Sequence, residues 1–291
     1  MRLDDLRGSS NIENQRGMGG GGFGGGIGGL LPLLFMGRGM GLGGIVLVVV
    51  LLYFFGGGLF GGGGQPVGQQ QVGQQVNPAQ TNATDQFVAR VLQTTEQTWS
   101  KIFAQSGQDY PEPTLVLYSG TGQSGCGVAQ AAVGPFYSPT DQKVYLDTSF
   151  FDELSRRFGA PGDFAEAYAI AHEVGHHVQT ITGISDRVRQ AQSRASEREA
   201  NALQVRMELQ ADCYAGLWGR DNAARLEPGD VQEAMRAAEA IGDDTLQRQA
   251  QGRVVPDSFT HGTSEQRMRW FMTGYNSGSV EACDTFNARQ L

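Results

Sequence analysis

Histidine and cysteine are both scarce in this chain of 291 residues. It has four histidines and three cysteines, which are Cys126, Cys213 and Cys283. Three scattered cysteines exclude a disulfide scaffold and a metal site made of cysteines, although one disulfide and one thiol are arithmetically allowed. Because histidines are so few, a cluster of them is an informative signal.

Positive charge is also in short supply. The chain has 22 lysines and arginines against 30 acidic residues, which gives a net charge of −8. This acidic balance argues against nucleic acid as the main partner. Most of the 43 glycines precede residue 75, so the N-terminal quarter differs in composition from the rest of the chain.

The N-terminal quarter divides into three segments. Residues 1–38 are first polar and then glycine-rich, which predicts a disordered tail. Residues 39–62 contain an uncharged apolar stretch at 40–60, which is long enough for one transmembrane helix; a buried core segment is the alternative. Residues 63–84 are rich in glutamine and glycine, which predicts a flexible linker to a folded domain over residues 85–291.

The basic residues around the apolar stretch suggest an orientation. Arg16 and Arg38 precede it, and the next basic residue is Arg90. Positive charges favour the cytoplasmic side of a membrane. We therefore expect a single-pass membrane protein with a cytoplasmic N-terminus and its folded domain outside the cytoplasm.

Three of the four histidines fall within six residues, in the sequence His172-Glu173-Val174-Gly175-His176-His177. The apolar pattern before and after this stretch predicts a helix, on which residues four apart share one face. His172 and His176 can then bind one zinc ion, and Glu173 can reach a water molecule beside it. His177 points elsewhere and is expected to be structural or to face substrate. The alternative is a core or surface helix that carries histidines by chance.

A catalytic zinc usually has three protein ligands. Residues 178–186 contain no histidine, so the third ligand is expected to be a carboxylate. Glu208 and Asp212 lie four apart in an apolar helical stretch, where unpaired carboxylates would be costly. We expect Glu208 to bind the metal and Asp212 to accept a hydrogen bond from a ligand histidine. Glu197 and Glu199 are the rival ligands, in a more polar stretch.

Two residues near the C-terminus complete the predicted site. His261 and Arg267 are candidates for the donor that stabilises negative charge on a reacting carbonyl oxygen, or for an ion pair that supports the site. Arg267 could instead pair with Glu208 or Asp212.

The remaining pattern predicts strands at 114–118, 133–137 and 143–147 among several helices, including a long one over 185–222 that contains a break. The expected fold is α+β: a mostly helical, zincin-like metallopeptidase domain with a small sheet, preceded by one transmembrane helix. A substrate backbone is expected to bind an edge strand within 127–137 or 143–147.

These motifs together resemble the putative neutral zinc metallopeptidases, which are bacterial membrane-anchored proteins. The resemblance rests on residues 7–17, 134–137, 144–147, 171–179, 208–216 and 261–267. The pair Glu208 and Asp212 is similar to that of the thermolysin-like, gluzincin-type enzymes. The family commonly has a cysteine, paired with the one at Cys126, where this chain has Ser138. The resemblance therefore leaves Cys213 and Cys283 as the pair that can form a disulfide.

The expected function is that of a zinc metalloendopeptidase with one zinc ion, anchored in the bacterial cell membrane. Its expected substrates are polypeptides, namely envelope or membrane proteins. A non-catalytic, zinc-stabilised domain that binds envelope proteins is the first alternative. A zinc aminopeptidase or amidase is the second.

Overall fold

The computed structural model of the chain describes residues 1–16, the backbone of residues 74–75, and residues 82–291. The apolar stretch at 40–60, in which the transmembrane helix is expected, lies outside the described residues. Within the described residues, no helix combines the length and apolar character that crossing a membrane requires.

The described residues form eight α-helices around a small sheet, which confirms the mostly helical α+β expectation. Helices α4 (Ile184–Gln192) and α5 (Glu197–Asp221) occupy the region where one long helix with a break was expected. The break between them is fixed by Ser196, which caps α5 in a reciprocal pair of hydrogen bonds with Glu199. The helices are α1 (Ala83–Gln105), α2 (Ser149–Arg156), α3 (Asp163–Ile181), α4 (Ile184–Gln192), α5 (Glu197–Asp221), α6 (Asp230–Ala240), α7 (Asp243–Gln251) and α8 (Ser264–Ser277).

The strands form one five-stranded sheet and one separate hairpin. They are β1 (Ile12–Asn14), β2 (Gln74–Gln75), β3 (Thr114–Tyr118), β4 (Thr121–Ser124), β5 (Gly127–Gln130), β6 (Phe136–Ser138) and β7 (Lys143–Asp147). The sheet order is β2-β1-β3-β7-β6, and β4 pairs with β5. Strands β1, β3 and β7 are parallel, whereas β6 is antiparallel to β7 and forms one edge of the described sheet.

Residues 1–16 correct the expectation of a disordered tail over 1–38. Strand β1 lies inside the sheet, between β2 and β3. The side chains of Met1, Leu3 and Ile12 are buried in the main hydrophobic core. These apolar residues precede the glycine run, so the low apolar content that predicts disorder applies to the glycine-rich part alone. Residues 17–38 lie outside the described residues.

Helices α5 and α8 pack with their backbones in close contact. A Cβ atom on Gly216 would lie 1.9 Å from the carbonyl oxygen of Phe271, and one on Gly274 would lie 1.9 Å from that of Cys213. Cys213 and Cys283 form the disulfide that the resemblance implies, with their Cα atoms 5.5 Å apart. Cys126 Sγ lies 3.2 Å from Ser138 Oγ, at the position where the family commonly has a second cysteine pair.

The N-terminal segment is expected to contribute to stability through Arg16. Its guanidinium forms two hydrogen bonds with the buried carboxylate of Asp85, at 3.0 and 2.6 Å. Arg16→Ala leaves that carboxylate without its partner, so the free energy of unfolding of the full chain should fall by about 2 kcal/mol. Thermal and denaturant unfolding would measure this, with the exposed Arg7→Ala as the matched control.

A charge reversal separates pairing from a general effect of mutation. Arg16→Asp should be destabilising, and the double variant Arg16→Asp with Asp85→Arg should recover part of the loss. If Arg16→Ala is as stable as Arg7→Ala, the packing of this segment on the domain is refuted.

Candidate functional site

The close approach of α3 and α5 builds the centre of the site. At Gly175, in the middle of the histidine motif, an added Cβ would lie 3.1 Å from the Cα of Ala211. This contact brings His172 and His176 on α3 opposite Glu208 on α5. Their ligand atoms all lie within 4.8 Å of one another, so the three residues could hold one metal ion.

The two imidazoles present equivalent atoms to the same carboxylate oxygen. The Nε2 atoms of His172 and His176 lie 3.2 and 3.5 Å from Oε2 of Glu208. Burial alone would raise the pKa of Glu208, but the two histidines hold it well below its ordinary value, so the carboxylate is ionised. Two imidazole nitrogens and one carboxylate oxygen are a donor set that zinc accepts in catalytic sites, and the residues present therefore fit the metal.

The rival carboxylates lie elsewhere. Glu199 belongs to the exposed N-terminal cap of α5, where it bonds with Ser196. Glu197 is exposed in the same first turn. The structure brings Glu208, and neither rival, to the histidines.

Asp212 holds the outer side of His172. Its Oδ1 accepts a hydrogen bond from His172 Nδ1 at 2.8 Å and from the hydroxyl of Tyr168 at 2.6 Å. Arg267 donates to both oxygens at 2.9 Å. Burial alone would raise the pKa of Asp212, but Arg267 and His172 outweigh it and lower the pKa to about 2. With Nδ1 engaged, His172 directs Nε2 to the metal position.

Arg267 therefore takes the ion-pair role that the sequence left open. Its side chain is buried, and its guanidinium donates to Asp212, to the Tyr168 hydroxyl and to the carbonyl of Ile241. Its hydrogen bonds connect it to the site through Asp212 and Tyr168, and it also lines the pocket.

Gln179 orients His176 in the same way that Asp212 orients His172, by accepting a hydrogen bond from Nδ1. Sequence reasoning missed this residue. Its Oε1 accepts from His176 Nδ1 at 2.8 Å. Its Nε2 donates to the carbonyl of Met207 and to Oε1 of Gln210, and Gln210 Nε2 donates to the carbonyl of Cys283. These bonds fix the amide orientations and connect the disulfide to the second histidine. The available signal was a glutamine one helical turn after His176.

Glu173 faces the same pocket. Burial raises the pKa of its carboxyl group, and the neighbouring His176 and His172 lower it in part. Tyr137 on the edge strand β6 lines the same pocket as Glu173. His177 is buried on another side of α3, where it bonds with the Tyr137 hydroxyl at 3.2 Å and the Pro111 carbonyl at 2.6 Å. His177 is therefore structural.

His261 enters the pocket from the loop before α8. Its Nδ1 lies 3.3 Å from Oδ1 of Asp243, a buried residue that sequence reasoning also missed. The second oxygen of Asp243 accepts the backbone N–H groups of Thr260, His261 and Gly262. Burial alone would lower the pKa of His261, but the contact with Asp243 raises it. One aspartate thus fixes both the loop and the imidazole.

The pocket that contains these groups has a volume of about 360 Å³. His172, Glu173, His176, Glu208 and His261 line its polar part. The remaining wall is largely apolar, with aromatic and aliphatic side chains contributed by Val133, Pro135, Phe136, Phe150, Phe158 and Met207. A pocket with a few convergent polar groups in apolar walls is typical of a binding site for an organic substrate.

Comparison with known proteins identifies the family of this chain. Residues 1–286 match the family described as "Putative neutral zinc metallopeptidase". "Uncharacterized protein YpfJ" of Escherichia coli strain K12 is 49% identical over 291 residues, which is 98% of this chain and 99% of that protein. "Uncharacterized protein Rv2575" of Mycobacterium tuberculosis strain H37Rv is 44% identical over 195 residues, which is 62% of this chain and 65% of that protein. No solved structure matches the chain. The chain belongs to the putative neutral zinc metallopeptidase family.

Proposed function

We propose that this chain is a membrane-anchored zinc peptidase that hydrolyses internal peptide bonds of polypeptides. The observation that carries the proposal is the convergence of two Nε2 atoms on the Glu208 carboxylate, inside a pocket that Glu173 also lines. A purely structural zinc site usually has four protein ligands and is closed. Three ligands beside a pocket and a carboxylate instead favour hydrolysis.

The protein residues divide the chemistry among them. Bound zinc would supply a Lewis acid that acidifies a water molecule and polarises the peptide carbonyl. Glu173 accepts the proton of the attacking water and delivers it to the leaving amine, a task that its raised pKa favours. His261, which Asp243 holds in the lining of the same pocket, would stabilise negative charge on the carbonyl oxygen.

The position of strand β6 favours a polypeptide as the substrate. This strand is an edge of the described sheet, and its residues Phe136 and Tyr137 line the same pocket as Glu173. An extended peptide can add to such an edge through main-chain hydrogen bonds, which brings its backbone next to the general base. Strand β7, the other candidate, lies inside the sheet between β3 and β6. The apolar walls of the pocket favour apolar side chains near the cleaved bond, which suits membrane or envelope proteins.

We expect Glu173→Gln to keep zinc and to lose cleavage. The amide cannot accept a proton, so kcat/KM for peptides blocked at both ends should fall by about 10²–10⁴-fold. Glu153→Gln, which changes an exposed carboxylate in the wall of the same pocket, should be nearly neutral. Unchanged cleavage by the Glu173 variant would reject the peptidase mechanism. Cleavage restricted to peptides with free termini would favour an exopeptidase.

Glu208→Ala should lower the zinc content of the purified protein from one ion per chain to a small fraction of that. The measurement is elemental analysis after dialysis against a weak chelator. Glu199→Ala removes an exposed carboxylate from the same helix and should retain the ion. Full zinc occupancy in the Glu208 variant would show that Glu208 is not a zinc ligand.

Gln179→Leu should weaken zinc binding by about 10–100-fold, because His176 loses the acceptor that orients its ring. A competing chelator gives the dissociation constant, and the absorption spectrum of the cobalt-substituted protein reports the ligand geometry. Gln190→Leu, at an exposed position of α4, is the matched control. Equal affinity and spectrum in the two variants would show that Gln179 does not position the histidine.

A further inference from the structure

The packing of residues 1–16 constrains how the chain can meet a membrane. Strand β1 is held in the sheet by backbone hydrogen bonds on the β3 side, from Leu115 N to Asn11 O and from Gln15 N to Leu117 O, both at 2.8 Å. Its Ile12 side chain is buried in the core shared with the helices. The strand is thus part of the catalytic domain rather than a tail attached to it.

Helix α1 independently requires the same segment. It buries two carboxylates, Asp85 and Glu96. Asp85 pairs with Arg16, while Glu96 accepts hydrogen bonds from Ser9 at 2.5 Å and from Asn11 at 2.9 Å. Removing residues 1–16 would leave both buried carboxylates without these partners, which is costly. Folding of the domain therefore requires the N-terminal segment to be on the same side of any membrane.

Strand β2, which follows the glycine-rich and apolar part of the chain, lies beside strand β1. Strand β2 pairs antiparallel with β1, with Asn14 opposite Gln74 and Glu13 opposite Gln75. Opposed residues in such a pair have Cα atoms about 5 Å apart. Residues 14 and 74, on either side of the intervening chain, therefore lie next to each other at one edge of the sheet.

Strands β1 and β2 are paired in one sheet, so they cannot lie on opposite sides of a membrane, as a single membrane crossing between them would require. We propose that residues 1–16 and the domain over 82–291 lie on the same side of the membrane, outside the cytoplasm. The choice of side rests on the buried Cys213–Cys283 disulfide, which is typical of oxidising compartments. The expected topology of one crossing with a cytoplasmic N-terminus is incompatible with this pairing.

This inference uses the proposed membrane association but does not depend on peptidase activity. Its test is cysteine labelling of the full chain in spheroplasts of an expressing bacterium. In a Cys126→Ser background, Ser10→Cys reports the N-terminal segment and Ser106→Cys reports the end of α1; both positions are exposed. Alkaline carbonate extraction of the same cells establishes whether the chain is inserted in the membrane.

A membrane-impermeant maleimide should label Ser10→Cys and Ser106→Cys to the same extent in intact spheroplasts, while a cytosolic thiol protein stays unlabelled until lysis. Labelling of Ser106→Cys alone, with Ser10→Cys reacting only after lysis, would show that residues 1–16 and the domain lie on opposite sides of the membrane and would overturn the proposal. Protection of both until lysis would overturn the placement outside the cytoplasm. Release of the chain by carbonate would show that it is not inserted in the membrane and would overturn the proposal.

Folding of the labelled variants is checked separately. Each should unfold at the temperature of the Cys126→Ser parent, because neither exposed serine lies in the core. The Arg16 and Asp85 charge reversal, measured on protein extracted from the same membranes, shows whether β1 is docked in the cell-derived chain. Loss of stability in Arg16→Asp with recovery in the double variant supports the shared side, and no effect of either overturns it.

Discussion

The buried carboxylate of Asp212 is the interaction on which the rest of the site depends. It has no contact with solvent, and it receives hydrogen bonds from Tyr168 and His172 on α3 and from Arg267 on α8. A buried charge is tolerated only when it is fully paired, so α3, α5 and α8 must converge for the domain to be stable. The same convergence turns Nε2 of His172 toward Glu208. Stability of the core and orientation of a metal ligand are therefore one structural requirement.

Small residues make that convergence sterically possible. Gly175 on α3 lies against Ala211 of α5, and Gly216 and Gly274 allow α5 and α8 to touch through their backbones. A Cβ atom at Gly216 or Gly274 would overlap the facing backbone, so α5 and α8 would have to move apart. On the other side of the metal position, the bonds from His176 through Gln179 reach the last residues of the chain near the disulfide. The two histidines are thus oriented by separate parts of the domain.

Order along the chain differs from order in space at both ends of the domain. Strand β1 comes first in the sequence but lies inside the sheet, where it supplies partners to buried groups of α1. The loop before α8 comes late but brings His261 into the pocket formed by α3 and α5. The segment that separates β1 from the domain is the glycine-rich and apolar one, so its composition hides the structural role of what precedes it.

The sequence by itself determined the residues that helical spacing places on one face. His172 with His176, and Glu208 with Asp212, follow from the four-residue interval in a helix, and the mostly helical α+β class follows from apolar periodicity. Only the tertiary structure decided which atoms meet: Arg267 with Asp212, Gln179 with His176, and Asp243 with His261. The contacts of Arg267 and Asp243 join residues from different helices or loops, so their geometry depends on how these elements pack. Gln179 lies on the same helix as His176, but its amide is oriented by Met207 and Gln210 of α5. The docking of residues 1–16 was likewise decided by long-range strand pairing, which local composition does not encode.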